Sequence, residues 1–131
     1  MAMARRVSLF EREVSVKIAP AAVDLLHGCA RVLSEGECVG NRFAGSTMLT
    51  IDLAKTAERI SDPPDATTAQ KIAFLYAADE HCRERAKRVA VREANKLAGE
   101  KLANHNVDVE SRARGSELHL AFNVEALRRE S

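Results

Sequence analysis

Hydrophobic and polar residues alternate in three segments of the chain, and each alternation is typical of a half-buried β-strand. In residues 10–18, the apolar side chains fall on one face and most of the charged or hydroxyl side chains fall on the other. Residues 107–113 and 118–124 alternate in the same way on the two sides of a short loop that contains Gly115. This arrangement predicts a β-hairpin over residues 106–124. Because an isolated hairpin is only marginally stable in water, we expect strand 10–18 to pair with it.

Apolar residues recur every three or four positions in residues 20–34, 50–60 and 66–104, and this spacing predicts three helices. Pro20 suits the first turn of the first helix, because the nitrogen at that position needs no hydrogen bond. Residues 36–47 contain three glycines and show no periodicity, so we predict a loop between the first two helices.

The third predicted helix is unusually long for a chain of this size. A continuous helix over residues 66–104 would extend roughly 58 Å, whereas a compact chain of 131 residues has a diameter of only about 36 Å. The helix must therefore either break, with Gly99 as the expected position, or project from the domain and be covered by another chain. This mismatch is the sequence evidence for self-association, and a homodimer is the form that we favour.

Together these elements predict an α+β fold, in which a small antiparallel sheet (the N-terminal strand and the C-terminal hairpin) packs on three helices, one of them unusually long. The chain has 131 residues, which is the usual size of a single domain. Its 46% apolar and 30% charged residues are typical of a globular protein and exclude a disordered or collagen-like chain. The chain has four Phe, one Tyr and no Trp, so we expect Phe122 to be one of the few large side chains in the core.

The charge balance and the cysteine content bear on the partners and the compartment. The 20 Lys and Arg residues nearly balance the 19 Asp and Glu residues, so the net charge favours neither nucleic acid nor an anionic membrane as a partner. Arg5 and Arg6 are followed by no long apolar run, and no later run is long enough to span a membrane. The three cysteines are odd in number, which does not fit a disulfide framework. We therefore predict a cytoplasmic protein without a membrane partner.

Four basic side chains, which we call the basic helix face, fall on one side of the third predicted helix: Arg85, Arg88, Arg92 and Lys96. They are three, four and four residues apart, so neighbouring Cβ atoms on the helix lie ~5–6 Å from each other. Such a row of cations suits the phosphates of a nucleic acid or the carboxylates of an acidic protein. The alternative interpretation is a solvated helix face without a partner. These four residues are the candidate partner-binding site.

The N-terminal half of the chain resembles the ribbon-helix-helix arrangement of small DNA-binding repressors. The resemblance is carried by the predicted strand Val14–Ile18, helix 20–34 and the helix that follows. It implies a DNA-binding regulator in which strands of two chains pair and read the major groove. The loop over residues 35–46 is longer than the turn of that arrangement, and Glu11 and Glu13 on the outward strand face would repel phosphate. A regulator of this kind is our first alternative.

Histidines and cysteines are numerous enough for one metal or thiol site, but their spacing brings no two of them to one helix face: His27, Cys29, Cys38, His81 and Cys82. The sequence also lacks a nucleophile–base pair and a dinucleotide-binding motif, so we predict no catalytic residue, no metal site and no cofactor. The resulting hypothesis is a non-catalytic, self-associating module for binding, assembly or regulation. Its basic helix face would contact an acidic partner, either a protein or a nucleic acid. A small metal- or thiol-dependent enzyme is the second alternative.

Overall fold

The computed structural model describes residues 18–129. These residues form four helices and four strands in this order: α1 (Pro20–Gly28), β1 (Ala30–Val39), β2 (Arg42–Asp52), α2 (Leu53–Ile60), α3 (Ala66–Ala78), α4 (Glu80–Ala98), β3 (Ala103–Arg114) and β4 (Glu117–Leu127). The predicted α+β class is confirmed, but there are four helices where we predicted three. Strand 10–18 lies outside the described residues except for Ile18, which is not in a strand and packs against the core.

The four strands form one antiparallel sheet in the order β1-β2-β4-β3. Two hairpins build it, because β1 pairs with β2 and β3 pairs with β4. Gly40 and Gly115 lie in the two turns and have φ angles of 63° and 58°, which short hairpin turns require. The hairpin predicted over residues 106–124 is therefore confirmed, and it lies beside β2 rather than alone.

The prediction of a helix over residues 20–34 is wrong, since α1 ends at Gly28 and β1 follows. The apolar residues at 30–33 continue the helical spacing but suit an extended strand equally well, so periodicity alone could not place the boundary. The predicted loop over residues 36–47 is also wrong, because these residues belong to the β1–β2 hairpin. Gly36 and Gly45 face each other across the two strands. The ring of Phe43 lies beside both glycines, and a Cβ atom at either position would come within 2.8 Å of that ring.

The segment over residues 66–104 is not one helix. It breaks at Asp79, whose side chain accepts hydrogen bonds from the backbone N–H groups of His81 at 2.8 Å and Cys82 at 3.1 Å. Asp79 thus caps the start of α4, whereas Gly99, the break that we predicted, has a φ of 72° and ends α4. With 19 residues, α4 is only about 28 Å long. No helix among residues 18–129 is therefore longer than a compact chain of this size can hold. The helix length no longer argues for self-association.

The helices cover one face of the sheet, which we call the inner face. Helix α4 lies against all four strands and buries one row of small side chains there: Cys82, Ala86, Ala90 and Ala94. Small side chains allow close approach between the helix and the sheet. Phe122 on β4 is 1% exposed, which confirms that it belongs to the core. Within residues 18–129, no helix is both long enough and apolar enough to cross a lipid bilayer.

Candidate partner-binding surface on the long helix

Helix α4 positions the basic helix face. The helix is fixed at its start by the cap at Asp79 and along its length by the buried row of alanines. Side chains on the opposite side therefore point into solvent, and all four members of the basic helix face are exposed. The structure brings the four residues together on one side of one helix, as their spacing predicts. Their role in binding a partner stays a prediction.

Within residues 18–129, two of the four cations of the basic helix face form salt bridges and two do not. Arg85 lies 3.2 Å from Asp24 on α1, and Lys96 lies 3.2 Å from Glu93 on α4. Arg88 and Arg92, which are one turn apart, form no salt bridge with any residue between 18 and 129. Arg88 and Arg92 are therefore the members of the basic helix face that can bind the anion of a partner without first breaking an ion pair within residues 18–129.

Glu93 marks the side of α4 that faces the edge strand β1. Glu93 accepts a hydrogen bond of 3.1 Å from the Ser34 hydroxyl on β1, which fixes this side of α4 against that strand. Leu97 lies one turn beyond Glu93 and is 43% exposed, while Val32 on β1 is 38% exposed. Leu97 lies about 140° around the helix from Arg92, so these apolar side chains belong to the sheet side of α4 rather than to the basic helix face.

A second polar cluster, at the junction of α1, α3 and α4, was not predicted. His27 Nε2 and the Tyr76 hydroxyl lie 2.8 Å apart, with the two rings edge to face. Burial raises the pKa of Tyr76 above its ordinary value, so the hydroxyl keeps its proton. The tautomer of the imidazole decides which of the two groups donates the hydrogen bond. The two partners are 49 positions apart in the chain, so no local sequence pattern indicated this contact.

The cysteines do not complete a metal or thiol site among residues 18–129. No group of three His, Cys, Asp or Glu side chains there is arranged to hold a metal ion. Burial, followed by the negative charge of Asp79, raises the pKa of Cys82 to about 11. Its thiol is therefore protonated at neutral pH, whereas the thiolate is the reactive form. Cys29 is buried, Cys38 is half-buried, and all three are free thiols.

The stability of the protein is expected to fall as the pH drops below about 6.5, and His27 is one cause. Burial, and then the charge of Arg85, lowers the pKa of His27 from its ordinary value of 6.5. The unfolded chain therefore binds more protons than the folded chain in the range just below 6.5, and acid favours unfolding. His105 adds to the effect, because burial also lowers its pKa.

Urea unfolding at neutral pH and about one pH unit below 6.5 tests this expectation. We expect His27→Gln to lose less stability between the two pH values than the unchanged protein loses. Its amide can still form a hydrogen bond with the Tyr76 hydroxyl, as donor or as acceptor, but it does not titrate. An equal loss in both proteins would contradict the assignment to His27.

The outer face of the sheet offers hollows rather than an enclosed pocket. Three of them have volumes of about 560, 440 and 360 Å³. The second lies over small side chains of the two central strands, Ser46 and Ala121 among them, and Leu33 and Glu35 of β1 line its side. A small-molecule site is usually deeply concave and mostly apolar, so we do not assign one here.

Comparison with known proteins finds no relative, since no family model, no curated protein and no solved structure matches the chain. The ribbon-helix-helix resemblance also fails on the described residues, because the hairpin of β1 and β2 stands between α1 and α2. That arrangement needs two consecutive helices. The function must therefore be inferred from the geometry of the basic helix face.

Proposed function

We propose that the protein is a non-catalytic, self-associating binding module whose basic helix face contacts an acidic partner, either a protein or a nucleic acid. The observation that carries this proposal is the pair of exposed arginines, Arg88 and Arg92, which have no carboxylate partner among residues 18–129. The proposed location is the cytoplasm, where free thiols such as those of the three cysteines persist.

The helix supports binding because it holds the two guanidinium groups in place. Each arginine presents a planar fork of donors that matches a carboxylate or a phosphate in two parallel hydrogen bonds. The capped and packed α4 fixes their spacing before the partner arrives, which lowers the entropy that binding must overcome. Arg85 and Lys96 can join only by exchanging Asp24 and Glu93 for the partner, so we expect them to contribute less.

If the partner is duplex DNA, the response to salt measures how many phosphates the basic helix face contacts. Each neutralised phosphate of duplex DNA changes the slope of log affinity against log salt by about −0.9. We expect a slope of about −1.8 if Arg88 and Arg92 alone contact phosphates, and about −3.6 if the whole basic helix face does. The basic helix face contains no aromatic side chain, so stacking on single-stranded bases is not expected.

The test is the charge reversal Arg88→Glu with Arg92→Glu. Fluorescence anisotropy would measure binding to two probes, a random duplex DNA and a polyglutamate peptide, at low and moderate salt. We expect the unchanged protein to bind at least one probe, and the double variant to bind it at least about tenfold more weakly. Two charge-assisted contacts are then replaced by repulsion.

The matched control is Lys55→Glu with Lys71→Glu, which makes the same change in net charge at exposed positions on α2 and α3. It should bind nearly as well as the unchanged protein. Both double variants should keep the free energy of unfolding within about 1 kcal/mol, because exposed charge changes usually cost little. Equal loss in the control would mean that net charge alone attracts the probe. No binding to either probe at low salt would overturn the proposal.

A further inference from the structure

Within residues 18–129, no strand pairs with the outer edge of β1, and the hydrogen-bonding groups along that edge can be assigned. The order of the strands places β1 and β3 at the two edges of the sheet. The N–H group of Asp52 donates to the carbonyl of Cys29 at 3.0 Å, and the register continues from that pair through β1 and β2. Successive residues of a strand alternate in direction. The backbone groups that point away from β2 therefore belong to the even-numbered residues: Ala30, Val32, Ser34, Gly36 and Cys38.

The two edges of the sheet differ in how they are protected against pairing. Proteins protect edge strands with bulges, charged side chains and prolines. The edge strand β3 has a register shift between Ala103 and Asn106, and Asn104 has a φ of 53°. In β1 there is neither a register shift nor a proline, and its charged side chains, Arg31, Glu35 and Glu37, lie beside Leu33 and Val39, which are 71% and 72% exposed. Among the described residues, the edge of β1 is therefore less protected than that of β3, and its exposed apolar side chains are suited to an interface.

We propose that two copies of this chain pair antiparallel through β1, about a two-fold axis at Leu33, so that their sheets join into one. This register sets Leu33 against the partner's Leu33 and Arg31 against the partner's Glu35, with both contacts on the outer face. Apolar side chains then meet each other, and opposite charges lie across the strands, which stabilises antiparallel pairs. Arg31 also lies 3.1 Å from Glu117 of its own chain, so the partner's Glu35 competes with that carboxylate for the guanidinium group.

Other registers give poorer contacts. An axis at Ser34 sets Arg31 against the partner's Glu37, but it also sets Leu33 against the partner's Glu35, so an apolar side chain faces a carboxylate. An axis at Glu35 sets that residue against the partner's Glu35, and an axis at Gly36 sets Glu35 against the partner's Glu37. Like charges directly opposite each other destabilise a sheet. Of these four axes, the one at Leu33 therefore gives the most favourable contacts across the strands.

This pairing specifies how the self-association in the proposed function occurs, and it rests on that function. It does not depend on the acidic partner. An axis perpendicular to the joined sheet places both helix layers on the same side. Both copies of Arg88 and Arg92 then face the same side of the dimer, and a long acidic partner could bind them together. Two linked contacts raise the overall affinity above that of one.

The test is a disulfide at the axis. In a Cys38→Ser background, Leu33→Cys places one cysteine on each copy in a pair without backbone hydrogen bonds, where Cα atoms are about 4.5 Å apart. That separation suits a disulfide, so we expect a covalent dimer under mild oxidation. Glu35→Cys in the same background is the matched control. The two copies of residue 35 would lie about 14 Å apart along the strands, so no disulfide should form.

A second measurement does not require a disulfide. Ser34→Pro removes a backbone N–H group that points out of the edge, and Ser34→Ala is its control because both variants lose the hydroxyl bond to Glu93. Light scattering at tens of micromolar should give a dimer mass for the unchanged protein and Ser34→Ala, and a monomer mass for Ser34→Pro.

A monomeric mass for the unchanged protein would overturn the pairing, as would equal cross-linking at positions 33 and 35. A disulfide formed within one chain between Leu33→Cys and Val16→Cys would also overturn it, by showing that residues 10–18 occupy this edge. None of these measurements involves the acidic partner, so failure of the pairing and failure of partner binding are distinguishable.

Discussion

Replacing Phe122 by alanine is expected to lower the free energy of unfolding by about 3–5 kcal/mol, the usual cost of removing a buried aromatic ring. Phe122 is 1% exposed and lies on a central strand, opposite Thr47 on β2 and Val109 on β3. The cavity would open in the core between the sheet and the helices, and the surrounding side chains would relax only partly into it.

Urea denaturation measures the effect, and Phe74→Ala is the matched control. Phe74 is 61% exposed on α3, so the same substitution there should cost less than about 1 kcal/mol. A cost below about 1 kcal/mol at Phe122 as well would place the C-terminal hairpin outside the stable core.

The substitution Gly45→Ala is expected to lower the free energy of unfolding by about 2–3 kcal/mol, because it overpacks the sheet. An added Cβ atom would lie 2.6 Å from the carbonyl oxygen of Glu35 and 2.8 Å from the Phe43 ring. The first neighbour is backbone within the β1–β2 ladder, so it can move only by disturbing the pairing of the two strands.

Gly28→Ala is the control for this prediction. A Cβ atom there would meet only a guanidinium nitrogen of Arg59, at 3.0 Å, and a flexible side chain can move away. Alanine also favours the helical end of α1, so the stability should change by less than about 1 kcal/mol. Urea unfolding of both variants measures the two changes in the free energy of unfolding. If Gly45→Ala cost no more than Gly28→Ala, the strands would have to move apart easily to accommodate the methyl group.

The hairpin of β3 and β4 was predictable from the sequence, whereas the hairpin of β1 and β2 was not. In β4 every second residue is apolar and buried, so the alternation reports the burial directly. In β1 the exposed and half-buried residues follow no apolar alternation, because Leu33 and Val39 are exposed. The glycines at 36 and 45 indicated a loop, yet they make room for Phe43 inside the sheet. Packing between strands, rather than a local turn, explains those glycines.

The basic helix face was predictable in position, because the spacing of its residues depends only on the helix. Which of the four cations form salt bridges was not predictable, since Asp24 lies 61 residues from Arg85 in the chain. The break at Asp79 was missed for a different reason. Apolar periodicity continues across it, while the capping carboxylate that starts α4 is a single residue. Contacts between distant segments, and caps inside a periodic run, are the parts of this structure that periodicity does not report.

The pairing of β2 with β4 at the centre of the sheet bears on how fast the protein folds. Each hairpin joins strands that are close in sequence, and hairpins form within about 1–10 μs. The central pair instead joins residues between 65 and 85 positions apart, from Asp52 with Glu117 to Arg42 with Leu127. Closing so long a loop costs chain entropy before any contact compensates for it. The two hairpins can thus form early and separately. We expect the pairing of β2 with β4 to be the step that limits the rate of folding.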